Sequence, residues 1–123
     1  MNNKIKIAIA GDHALGVERL KCLLKKNGFE VTITASNGAQ LIMKIMNSSV
    51  IPDVCILDGI MPVMCGSETT KALKNRWPKM KIVAFTMDEF KGEQMIKLGA
   101  SVFVSKISPE ILPDVIKTLM DVD

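Results

Sequence analysis

Aromatic side chains are scarce in this chain, 4% of residues with one Trp and no Tyr, which argues against a flavin carrier needing rings to flank its cofactor. Cysteine is scarce too. Cys22, Cys55 and Cys65 are odd in number, with no CxxC and no metal-ligand spacing, which excludes a disulfide framework and points to a reduced, intracellular protein. No apolar stretch approaches the roughly 20 residues that span a bilayer. Met1-Asn2-Asn3-Lys4 leads straight into a strand pattern without the apolar core of a signal peptide, so a cytoplasmic location is expected. There is no internal repeat, low-complexity tract, linker or Gly-rich phosphate loop. A concentrated basic patch is also missing: the net charge of +3 comes from lysines spread over many segments. The longest basic cluster, Lys25-Lys26 before Asn27-Gly28, suits a helix C-terminus, where cations favour the macrodipole. Neither a membrane nor direct nucleic-acid contact is expected.

What remains fits one domain, residues 1–123, with 48% apolar residues to build a single core. Short apolar runs alternate with longer amphipathic stretches. Ile5–Ala10, Val31–Ala35, Val54–Leu57, Ile82–Phe85 and Val102–Val104 are bounded by polar or turn residues and read as strands. Three are almost unbroken apolar sequence, as expected of parallel strands buried on both faces. Between them, Val17, Leu20, Leu23 and Leu24 share one helical face, and Leu41, Ile42, Ile45 and Met46 another. A third helix is predicted over Ser67–Asn75 and a fourth over Asp88–Leu98. Leu112, Val115, Ile116 and Leu119 have the i, i+3, i+4, i+7 spacing of a fifth. Pro113 leaves two starts open, a helix beginning near Leu112 or a distorted first turn after Ser108-Pro109. The βαβαβαβαβα order predicts an α/β fold, a parallel five-stranded sheet with helices on both faces. Ligands of such sheets sit at the carboxyl ends of the strands.

Those ends are where chemistry-bearing residues gather. Gly11-Asp12-His13 follows the first strand, Asp58 the third, Thr86 and Met87 the fourth, and Lys106 the fifth. Two carboxylates with nearby carbonyls suit a hard cation such as Mg²⁺. An ammonium and a hydroxyl beside them suit a phosphoryl group, and a carboxylate is a competent nucleophile toward phosphorus. Each residue has a plainer reading. Asp58 alone could start a loop, Thr86 could cap the fourth helix, and Lys106 could be a solvated charge. His13 reads as an exposed helix-start residue, Cys55 as core, Cys65 as a tolerated small side chain, and the methionines mostly as core filler.

The segment Val54-Cys55-Ile56-Leu57-Asp58-Gly59-Ile60-Met61-Pro62-Val63-Met64-Cys65-Gly66 resembles the signature around the phosphoacceptor of bacterial response regulator receiver domains. Thr86 after the fourth strand, and Gly99-Ala100-Ser101 followed by Phe103 and Lys106, match that family further. The opening, with Asp12-His13 inside it, is most similar to receivers of LuxR-type transcription regulators. The resemblance implies a doubly wound, flavodoxin-like (βα)5 fold with strand order 2-1-3-4-5. It implies Asp58 as phosphoacceptor and Mg²⁺ bound by Asp12, Asp58 and the Ile60 backbone carbonyl. Lys106 and Thr86 would bind phosphoryl oxygens, with Thr86 and Phe103 as the switch. The implied partner is a sensor histidine kinase, with a phosphorylation-dependent homodimer as in many relatives, and no turnover enzyme is implied.

The sequence departs from that pattern at Gly11, where relatives usually carry a first acidic residue, and at Met87, usually small. Gly11 supports an alternative: a pseudo-receiver, an interaction module not operated by phosphorylation. A small Mg²⁺-dependent phosphatase is the third reading, and no second acid is placed for hydrolysis.

Overall fold

The computed structural model describes residues 4–121. Five parallel strands, β1 (Lys6–Ala10), β2 (Glu30–Ala35), β3 (Val54–Leu57), β4 (Lys81–Thr86) and β5 (Val102–Ser105), lie in the order β2-β1-β3-β4-β5. The expected doubly wound fold is what forms. Helices α1 (Ala14–Lys26), α2 (Gly38–Met46), α3 (Gly66–Arg76), α4 (Glu89–Lys97) and α5 (Leu112–Asp121) connect and close it.

Strand alternation divides the core in two. Ile7, Ile9, Val54, Ile56 and Val83 face Leu20 and Leu24 of α1 and Leu112 and Ile116 of α5. Ala8, Ala10, Cys55, Leu57, Ile82 and Ala84 face Leu41 and Ile45 of α2, Leu73 of α3 and Met95 of α4. Each fully buried Leu or Ile contributes about 1.5–3 kcal/mol, so two apolar faces on every inner strand fix the strands at the centre. The methionine expectation holds for Met61, Met80 and Met95 but not for Met43, Met46 and Met87, which are exposed. Met46, placed on the predicted stripe, is the last residue of α2 and is exposed there.

Side chains start most of these helices. His13 Nδ1 accepts from Gly16 N at 3.2 Å, Asn37 Oδ1 from Gln40 N at 2.9 Å, and Asp88 Oδ1 from Lys91 N at 3.1 Å. His13 is therefore the exposed helix-start residue expected. Asp88, not Thr86, caps α4; Thr86 is still in β4. The third helix begins at Gly66, one residue before the predicted start, after Cys65, which makes no capping bond to the backbone. At the fifth, a 3₁₀ turn over Pro109–Ile111 precedes α5, which starts at Leu112. Pro113 thus falls in the first turn, where a helix needs no N–H donor.

Candidate functional site

The carboxyl rim is built by strands ending in step. Asp58 N donates to Ala10 O at 3.0 Å, which carries the β1–β3 ladder one residue past β3 and seats Asp58 on the central strand's end. Lys106 N donates to Thr86 O at 3.3 Å, which holds the residue after β5 beside the end of β4. The result is a contact between side chains 48 positions apart: Lys106 Nζ lies 2.6 Å from Asp58 Oδ2. The Asp58 side chain is 13% exposed and that of Lys106 32%, so the pair is screened less than a surface bridge and still open to solvent. Asp58 Oδ1 accepts from Ile60 N at 3.3 Å.

Thr86 is buried, and its Oγ1 accepts from Asp88 N at 3.2 Å. A Cβ on Gly59 would lie 3.1 Å from that oxygen, so the hydroxyl stands against the backbone of the residue after Asp58. Phe103 pairs with Ala84 in the ladder, on the same side of the sheet as Thr86, and packs half-buried against the α2–α3–α4 core. Its ring lies against Gly92 of α4. That glycine escaped the sequence reading, although an isolated Gly within a helical pattern is a signal of close packing. Gly66 is a second close approach: a Cβ there would come within 2.5 Å of Asp58 O and 2.8 Å of Gly59 Cα.

Asp12 is exposed after β1, and its carboxylate enters no hydrogen bond or ion pair among the described residues. Gly11 between them has room: a Cβ would meet Val17 Cγ2 at 3.6 Å and Asp58 Cβ at 3.9 Å, both ordinary contacts. Its φ is not positive. The oxygens of Asp12, Asp58 and Ile60 are hard donors of the kind Mg²⁺ takes, completed by water. Among the described residues no three His, Cys, Asp or Glu gather into a metal-holding group. Met87 is 62% exposed, so the long side chain expected beside the site extends largely into solvent. Burial pushes the Cys55 thiol up to about 12, so Cys55 is the inert core residue expected.

A doubly wound sheet with a carboxylate and an ammonium paired at the carboxyl ends of its strands belongs to a class of α/β proteins that work from that rim. The model of the response regulator receiver domain family matches residues 7–117, and the chain belongs to that family, the receivers of two-component systems. It is 35% identical over 106 residues to the chemotaxis protein CheY of Bacillus subtilis, covering 82% of this chain and 84% of that one. It is 38% identical over 109 residues to a protein-glutamate methylesterase/protein-glutamine glutaminase of Clostridium acetobutylicum, covering 84% of this chain and 31% of that one. A two-component response regulator of the LuxR family from Aurantimonas shares the fold with a TM-score of 0.88 at 22% identity, over 97% of this chain and 86% of that one. The chain spans less than half the length of many curated relatives, down to 7%. No helix among the described residues is long and apolar enough to cross a membrane.

Proposed function

We propose that residues 1–123 act as one cytoplasmic receiver module operated by phosphorylation of Asp58. The donor is a phosphohistidine on a sensor histidine kinase, or a small acyl phosphate. An Asp58 oxygen forms the new P–O bond while the bond from phosphorus to the donor breaks, and the departing group keeps that electron pair. Lys106 exchanges its contact with Asp58 for one with a phosphoryl oxygen, and the Thr86 hydroxyl takes another. Phe103, on the same face of the sheet, follows Thr86 and reshapes the surface over β4, β5, α4 and α5. Mg²⁺ held by Asp12, Asp58 and the Ile60 carbonyl would supply positive charge against the transferring group. The proposal extends to a phosphorylation-dependent homodimer and to no DNA contact by this chain itself.

The observation that carries the reading is the 2.6 Å Lys106–Asp58 pair at the end of the central strand. The test is treatment with acetyl phosphate and Mg²⁺ followed by peptide mass mapping. One phosphoryl group on Asp58, absent from Asp58→Asn, is expected. A label on another residue, or none at saturating Mg²⁺, would overturn it. The second of these favours the pseudo-receiver reading, which rests on Gly11 and the two-carboxylate donor set.

A further inference from the structure

Phe85 is half-buried, although β4 is an inner strand and Phe85 points into the α1–α5 side of the core. The reason is a cleft of about 300 Å³ between α1 and the segment joining β5 to α5. Its walls are apolar, with Val17, Leu20 and Leu23 of α1 across from Phe85 and Pro109. One end is formed by Gly11 and the Asp58–Lys106 pair, and Arg19 stands at the rim. An apolar hollow with a few convergent polar groups is the usual form of a small-molecule site, and this volume lies at the small end of the range.

Two features shape what the cleft could take. At Gly11 a side chain would extend between Val17 and Asp58, so glycine leaves the floor open as far as the carboxylate. The charge balance is also one-sided. Arg19 is exposed, with no partner among the described residues, and Lys106 joins it against the single carboxylate of Asp58. Lys106 has three N–H donors and spends one on Asp58 Oδ2, which leaves donors for an incoming acceptor. Together these favour a ligand with one negative charge within reach of Arg19 or Lys106 and an apolar body over Phe85.

We infer that the α1–α5 cleft is a binding site for a small amphiphile, a compact aromatic or branched aliphatic body bearing one anionic head group. The cleft is formed in the unphosphorylated chain, so the inference does not rest on Asp58 being a phosphoacceptor.

The test uses the unphosphorylated chain without Mg²⁺ and two probes of nearly the same shape, anilinonaphthalene sulfonate and its uncharged analogue phenylnaphthylamine. Fluorescence titration is expected to show saturable one-to-one binding, with the sulfonate tighter. Amide shifts should fall on residues 11–23 and 106–109. Arg19→Gln should weaken the sulfonate about fivefold, the scale of an exposed ion pair, and leave the neutral probe unchanged. Gly11→Leu should weaken both about tenfold by filling the floor, with a thermal melt to show that it folds. If that variant does not fold, Arg19→Gln and the shift map still decide. Equal affinity for the two probes in the wild-type chain overturns the anionic class. Shifts centred on exposed Met87 and Phe90, or no saturable binding, overturn the site.

Discussion

Phe103 and Gly92 are in contact across the boundary of β5 and α4, so close that a Cβ on Gly92 would lie 2.6 Å from Phe103 Cδ1 and 2.8 Å from Cε1. The ring and the helix backbone therefore fit only while position 92 has no side chain. In Gly92→Ala the helix gains about 1 kcal/mol of intrinsic propensity. Overpacking against the ring costs about 1–3 kcal/mol, so a net loss of up to about 2 kcal/mol is expected in urea denaturation. In a Phe103→Ala background the sign should reverse, and Gly92→Ala should stabilise. The same effect in both backgrounds would mean that the ring does not bear on the helix.

Gly11 bears on the metal. Its backbone conformation is open to other residues, and a Cβ there meets only ordinary contacts. Gly11→Asp should therefore fold, add a third carboxylate beside Asp58, and tighten Mg²⁺ about tenfold, the low end for an outer partner. Isothermal titration of both proteins measures this. A well-folded variant with unchanged affinity would show that the missing acid is not what limits the metal.

Cys65 occupies the N-cap position of α3 in extended backbone geometry, and its thiol makes no bond to the helix backbone. Glu68 sits three residues on, with Oε1 3.4 Å from Cys65 Sγ. Serine there would set up a capping box with Glu68, its oxygen accepting from the Glu68 N–H. Cys65→Ser should raise stability by about 0.5–1 kcal/mol, read as a higher urea midpoint at constant slope. A lowered midpoint would mean that the thiol's packing outweighs the cap.

Cys55 gives the fold a dependence on alkaline pH. Burial raises its thiol from 9.0 to about 12, whereas the unfolded chain titrates at the ordinary value. Above pH 9 the unfolded state holds fewer protons than the folded one. This contribution to stability is complete below pH 9 and is lost as pH rises toward 12. Cys55→Ala should flatten that part of the pH–stability curve. A thiol reagent at mildly alkaline pH should modify exposed Cys22 at once and Cys55 only as fast as the chain unfolds. Prompt modification of Cys55 would contradict its burial.

The strand centres were legible as apolar runs, almost unbroken and mostly buried in β1, β3 and β4. Their polar ends were not: Glu30, Lys81, Thr86 and Ser105 extend the strands through backbone ladders that leave no apolar mark. Thr86 read equally well as a helix cap until Asp88 was seen to cap α4. At the fifth helix, Pro113 allowed two starts, and the 3₁₀ turn before Leu112 settles the matter. At the rim, Asp58 and Lys106 were each ambiguous alone, and only the shared strand ends bring them within 2.6 Å. The Gly92–Phe103 contact and the cleft beside Arg19 depend on how helices lie on the sheet, which local pattern does not encode.

Gly66 has the widest mechanical consequence. With no room for a side chain between Gly66 and the Asp58 carbonyl and Gly59 α-carbon, and its N–H bonded to Gly59 O at 3.0 Å, the start of α3 forms an abutment behind Asp58. The loop cannot recoil in that direction without shifting a whole helix. Gly59 in turn stands against β4 and α4: a Cβ there would lie 3.1 Å from Thr86 Oγ1, 3.3 Å from Thr86 Cβ and 3.1 Å from Lys91 Cβ. Any force exerted on the Asp58 loop is thus passed to the start of α3 through Gly66 and to β4 and α4 through Gly59, as a keystone loads both its neighbours.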